Sequence, residues 1–168
     1  MSVETLISID EYLRTSFDPD CDYVDGHVEE RNVGKRKHSY AQARIAAWFI
    51  QRGETLQVEA LTEQRTKVST GRVRIPDVVV IRTPSTDEEV ITEPPFLCIE
   101  VMSPEDTISG MQERMDDYLA FGVENIWVVD PWKRRAWTVS PTGWHTALDG
   151  ILRTCDGAVE MPLQDVLM

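Results

Sequence analysis

The sequence predicts an α/β protein in which a central sheet is covered by helices. Three observations carry that expectation. Apolar, β-branched runs at 75–81, 96–101 and 126–131 have the length and composition of buried strands. Segments 38–52 and 103–122 carry apolar residues at helical spacing instead. The second of these lies between the last two runs, the strand–helix–strand order of a right-handed parallel crossover.

Taken from the N-terminus, residues 7–15 predict a short helix with Ser8 or Asp10 as its cap. Asp25-Gly26, flanked by Tyr23, Val24 and Val28, predicts a hairpin, because a two-residue type I′ turn needs positive φ at both positions. In 38–52, Ala41, Ile45, Trp48 and Phe49 form one apolar face, and Gly53 is a natural stop. Residues 56–61 and 64–68 alternate like strands. Ile75 to Ile81 is a buried strand, followed by an acidic loop from Pro84 to Pro95 and a second buried strand from Phe96 to Val101. Ser103-Pro104-Glu105-Asp106 predicts a helix start, with Ser103 capping and Pro104 in the first helical position. Ile108, Met111, Met115, Tyr118 and Leu119 then share a face, and Gly122 ends the helix. Ile126 to Pro131 is the third buried strand, and 135–147 an outer hairpin.

Length and composition fit one domain spanning 1–168. The chain has 168 residues, 42% of them hydrophobic, enough for a core and too many for a disordered chain. No apolar run approaches the roughly 20 residues that span a bilayer. The first residues lack a basic region followed by an apolar stretch, so a cytoplasmic protein without membrane contact is expected. Cys21, Cys98 and Cys155 are odd in number and far apart, which argues against a disulfide framework or a zinc site and for reduced, mostly buried thiols. The net charge of −12 disfavours nucleic acid at long range. Basic stretches at Arg31–Arg44, Arg65–Arg74 and Lys133–Arg135 nevertheless leave room for a local phosphate-binding face. The five tryptophans fit core, rim or interface positions better than base-stacking platforms.

Two carboxylates interrupt apolar strands. Asp77 follows Pro76 at the mouth of one run, and Glu100 lies between Ile99 and Val101 in the next. Burying a carboxylate is costly unless it is paired or binds a cation. Alternation sets Asp77 with Val79 and Ile81, and Glu100 with Cys98 and Phe96. If the strands are neighbours, both acids meet on one face, and two oxygen donors of this kind suit Mg²⁺. The alternative is that Asp77 caps a turn and Glu100 pairs with a nearby arginine.

Asp25-Gly26, Ile75-Pro76-Asp77-Val78-Val79-Val80, Ile99-Glu100-Val101-Met102-Ser103-Pro104, Tyr118 to Val123 and Ile126-Trp127-Val128-Val129-Asp130-Pro131, in this order, resemble the Uma family of "putative restriction endonucleases", part of the PD-(D/E)XK nuclease-like superfamily. The resemblance covers roughly residues 5–140. It implies a restriction-endonuclease-like core, a mixed central β-sheet flanked by helices. It also implies a Mg²⁺ or Mn²⁺ site from Asp77, Glu100 and the backbone carbonyl of Val101. An upstream acid, Glu30 or else Glu29, joins such sites, and His38 stands where the family often has a histidine at the start of the first core helix. The superfamily lysine two residues after the glutamate is replaced by Met102. A lysine common in the family four residues before the tyrosine is here Arg114.

At about 100° per residue, Arg114 lies on the flank of the apolar stripe beside Tyr118. Arginine is too basic to accept a proton, but its fork suits phosphate oxygens. The resemblance therefore implies a metal-dependent DNA endonuclease. In it, Asp77 and Glu100 hold the metal, Arg114 stabilises developing charge, and His38 or Glu30 orients water or shuttles a proton. It further implies a homodimer, with the 135–147 hairpin as a candidate surface. The missing lysine and the acidity favour a second reading, a catalytically degenerate domain serving as a binding or dimerisation module. A phosphodiesterase acting on RNA or a small nucleotide is a third.

Overall fold

The computed structural model describes residues 6–32 and 34–168. It opens with helix α1 (Ile9–Arg14), whose cap is Ser8: the Ser8 hydroxyl accepts from the Glu11 N–H. Strands β1 (Asp22–Val24) and β2 (His27–Glu29) follow, then α2 (Arg36–Ile50) and the four-residue α3 (Gly53–Leu56). Next come β3 (Val58–Thr62), β4 (Thr66–Ser69), β5 (Arg72–Arg74), β6 (Val78–Arg82) and β7 (Leu97–Val101). Helix α4 (Ile108–Phe121) leads to β8 (Asn125–Asp130) and the hairpin of β9 (Arg135–Ser140) and β10 (Gly143–Thr146). A small pair, β11 (Ile151–Arg153) and β12 (Glu160–Pro162), ends the sheet structure.

The main sheet has the order β10-β9-β8-β7-β6-β3 and is mixed: β7 and β8 run parallel, and the other neighbours are antiparallel. A parallel neighbour needs a crossover, and α4 supplies it. Alternation along the strands divides the core into two layers. Val78, Val80, Leu97, Ile99 and Val129 pack on Ala41, Ile45 and Phe49 of α2. Val79, Cys98, Ile126 and Val128 pack on Met111, Met115 and Tyr118 of α4. Phe96, expected on the face of Cys98, packs in the α2 layer because it precedes β7 and escapes its alternation.

A second sheet, β2-β1-β5-β4, was not expected from the sequence. Its β1–β2 turn is the predicted one, with Asp25 and Gly26 at φ of 50° and 99°. The run that begins at Ile75 joins the main sheet only from Val78. Pro76 has no N–H to give a ladder, so β5 stops at Arg74 and β6 starts at Val78.

Two helix boundaries differ from expectation. Gly53 does not stop a helix; it begins α3. A Cβ there would lie 2.8 Å from the Val58 carbonyl oxygen, so glycine is required for close backbone approach. The α4 cap is Thr107, whose hydroxyl accepts from the Gly110 N–H, not Ser103. Ile108 is therefore the first helical residue, 92% exposed, and the buried stripe begins at Met111. Gly122 closes the helix in the left-handed region, as predicted. Cys21 and Cys98 are buried, Cys155 is exposed, and all three are free. Among the described residues, no helix is long and apolar enough to cross a membrane.

Candidate active site

Strands β6 and β7 pair with Val78 opposite Ile99, and continuing that register one step sets Asp77 opposite Glu100. The two acids therefore stand at the same end of the sheet, Glu100 turned to Tyr118 and Arg114 of α4 and Asp77 to His38 of α2. Both are buried, at 4% and 2% exposure, at the end of the sheet where the chain leaves β7.

Asp77 is held from three directions. Its Oδ2 accepts the Val101 N–H at 2.7 Å and contacts His38 Nε2 at 3.2 Å. Its Oδ1 accepts from Arg31 Nη2 at 3.0 Å. Helix α2 places His38 in its first turn, beside the mouth of β6. Burial pushes the His38 imidazole down, but the hydrogen bond and charge of Asp77 outweigh burial and hold it above its usual value. His38 Nδ1 is buried without a partner.

Glu100 Oε1 accepts from the Tyr118 hydroxyl at 2.5 Å, and Oε2 lies 3.9 Å from Arg114 Nη1. Burial, then the charge of Asp77, push the Glu100 carboxyl up to about 7, against the opposing pull of Arg114, Tyr118 and Arg31. Arg114 and Tyr118 lie one turn apart on α4, the arrangement expected from their spacing. Arg114 also reaches Asp22 Oδ2 at 3.7 Å and Asp106 Oδ1 at 3.9 Å. All three contacts are ion pairs too long for hydrogen bonds.

The upstream acid that the structure brings here is Asp22 of β1. It is 2% exposed; its Oδ1 accepts the Ile75 N–H at 3.1 Å and its Oδ2 accepts from Arg74 Nη1 at 3.1 Å. Glu30 is exposed and does not line the site, and Glu29 reaches Arg74 at 3.4 Å instead. The expected helix start at Ser103 is a turn: the Ser103 N–H donates to Asp106 Oδ2 at 2.7 Å, and the Asp106 N–H returns to the Ser103 carbonyl. That turn carries Asp106 to the cavity wall, where Asn32 Nδ2 donates to its Oδ1 at 2.9 Å. Nearby, Lys35 pairs with Glu105.

Asp77, Glu100, Val101, His38 and Arg114 thus share the wall of one cavity of about 20 Å³ with Arg31 and Asp106. Of the sequence-predicted residues, Glu30 and its alternative Glu29 stand apart. Sequence reasoning missed Asp22, Arg31, Arg74 and Asp106. For Asp22, an acid directly ahead of the Asp25-Gly26 hairpin was an available signal. Arg31 lay within a noted basic stretch but had no spacing to mark it. Met102, in place of the superfamily lysine, is half-buried against the α4 layer.

Among the described residues, no group of three or more His, Cys, Asp or Glu side chains is arranged to hold a metal. Two facing carboxylates are present, however, one of them driven toward protonation partly by the other. Mg²⁺ commonly takes one or two protein carboxylates and keeps its remaining waters. The pair fits such an ion, provided the Arg31 guanidinium moves from Asp77 Oδ1.

A family model described as "Uma2: Putative restriction endonuclease" matches residues 9–153. The crystal structure of a putative nuclease belonging to DUF820 from Anabaena variabilis is similar over 95% of this chain and 97% of that one. Its TM-score is 0.82 at 18% identity, a likeness of fold. A cryo-electron-microscopy structure of a DrdV–DNA complex is similar over 66% of this chain and 10% of that one, with a TM-score of 0.44 and 19% identity. Among curated proteins none matches.

Proposed function

This chain belongs to the Uma2 family of putative restriction endonucleases, and from that premise we propose that it is a Mg²⁺- or Mn²⁺-dependent endonuclease hydrolysing phosphodiester bonds in DNA. The observation that carries the reading is the meeting of Asp77 and Glu100 at one cavity that Arg114 also lines.

Asp77 and Glu100 would hold the ion, with the Val101 carbonyl as a further oxygen donor. When bound, the ion polarises the scissile phosphate and makes water more acidic. The chain's own residues do the rest. His38 is a positioning residue: its Nε2 faces Asp77, and together with the Val101 N–H it fixes the carboxylate rotamer. Tyr118 does the same for Glu100. Arg114, without a hydrogen bond to the surrounding carboxylates, keeps its fork available for phosphate oxygens as negative charge builds. A water oxygen forms the new P–O bond while the bond to the leaving sugar oxygen breaks, and that oxygen departs with a proton.

The test is cleavage of supercoiled plasmid with Mg²⁺ or Mn²⁺ by the full chain and by Asp77→Ala. Cleavage by the parent alone supports the reading, and equal cleavage by both overturns it. The second reading, a degenerate module, is favoured by the methionine at position 102. Calorimetry without heat at millimolar Mn²⁺ would select it.

A further inference from the structure

Three guanidinium groups surround the acids, and they are not equivalent. Arg74 is 3% exposed and tied at 2.7 Å to Asp117 and at 3.1 Å to Asp22, linking the small sheet to α4. Arg114 touches its carboxylates only at 3.7–3.9 Å. Arg31 alone makes a hydrogen bond to one of the two facing acids, at 3.0 Å to Asp77 Oδ1, with Asp22 farther off at 3.9 Å. Its side chain is 15% exposed. It stands in the irregular segment between β2 and α2, outside any helix or strand whose ladder would fix it.

The guanidinium on Asp77 Oδ1 and a divalent ion are both cations drawn to the same carboxylate at the same cavity, so each weakens the hold of the other. Arg31 neutralises Asp77 when nothing else does, which limits the cost of burying two acids together. Displaced by a metal, its fork remains at the same cavity mouth, where the ligand that accompanies such a metal is a phosphate.

We propose that Arg31 is the resident counter-cation of the Asp77–Glu100 pair, that it exchanges with the divalent ion at Asp77 Oδ1, and that it then binds an oxygen of the scissile phosphate. This rests on the endonuclease reading above, and the two fail separately.

Mn²⁺ is titrated calorimetrically into the full chain without nucleic acid, comparing the parent with Arg31→Gln, Arg31→Lys and Asp77→Ala. Removing a charge-assisted hydrogen bond from the competing state is expected to tighten Mn²⁺ binding roughly ten- to a hundredfold in Arg31→Gln. Arg31→Lys is expected to lie between it and the parent, and Asp77→Ala to lose binding. At saturating Mn²⁺, Arg31→Gln is expected to cut plasmid more slowly than the parent, so affinity and turnover move in opposite directions. If Arg31→Gln melts before it can be assayed, Arg31→Lys, which keeps the charge and loses the fork, carries both comparisons. Unchanged or weaker Mn²⁺ affinity, or unchanged turnover at saturation, overturns the role of Arg31 while Asp77-dependent binding keeps the metal reading intact. Absence of Mn²⁺ binding in every variant overturns both.

Discussion

The Tyr118 hydroxyl donates to Glu100 Oε1 at 2.5 Å, joining the last turn of α4 to the end of β7 inside the core. Both side chains are buried, so neither has water as a substitute partner. Tyr118→Phe removes the donor and leaves the acceptor unsatisfied, at a cost of about 1–3 kcal/mol. Urea unfolding at pH 8, where Glu100 is ionised, is expected to show that loss. At pH 5, where the carboxyl carries its own proton, the loss is expected to be smaller. A larger loss at pH 5 would contradict the assignment.

Glu100 gives the metal-free protein a pH dependence of definite sign. Its carboxyl is raised to about 7 in the folded chain from an ordinary 4.5, burial being the first cause and Asp77 the second. A group raised in this way binds more protons folded than unfolded. Its contribution is fully present below about 4.5 and is lost as pH rises through about 7. In chelator, the parent is therefore expected to lose stability relative to Glu100→Gln between pH 5 and pH 8. Parallel urea midpoints across that range would refute it.

Arg114→Ala is expected to lower kcat on plasmid DNA by roughly 10²–10³, the usual cost of removing one donor aimed at developing charge. Mn²⁺ affinity should not weaken, because the deleted side chain is a cation 3.9 Å from Glu100 Oε2. Arg114→Lys keeps the charge without the fork and should recover part of the rate. A variant that loses metal binding and rate together would assign Arg114 a structural role.

Gly53→Ala tests the fold apart from the chemistry. The added Cβ would meet the Val58 carbonyl at 2.8 Å, and backbone cannot swing aside as a side chain can. A loss of about 1–3 kcal/mol is expected in urea unfolding. Mn²⁺ affinity should be unchanged, since Val58 pairs with Arg82, at the end of β6 remote from Asp77.

What was legible in the sequence was local or periodic. The Asp25-Gly26 turn, the α2 and α4 stripes and the β7–α4–β8 crossover each follow from signals within about 35 residues of chain. The meeting of Asp77 with Glu100 was legible only on the condition that their strands are neighbours, a condition the β6–β7 pairing meets. The start of α4 was misplaced for a physical reason. The Ser103 N–H donates to the Asp106 side chain as in a helix cap, but the Asp106 N–H returns to the Ser103 carbonyl and closes a turn instead of opening a helix. Thr107 follows at once with a cap of its own.

The second sheet and the arginines around the site were not legible. Asp22 meets the Ile75 N–H across 53 positions, and Arg31 meets Asp77 across 46. No pattern within one element encodes such contacts. They arise only when β1 pairs with β5 and draws the hairpin over the mouth of β6.

That small β1–β5 pairing has a wider consequence. Asp22 reaches the proposed site from one sheet while Asp77 and Glu100 reach it from the other, and Arg74 ties Asp22 to Asp117 of α4. The proposed chemistry would thus depend on assembly of the two sheets rather than on the main scaffold alone. On the proposed function, melting of the minor sheet is expected to end activity before the larger core comes apart, so that on heating loss of plasmid cleavage precedes loss of helix signal.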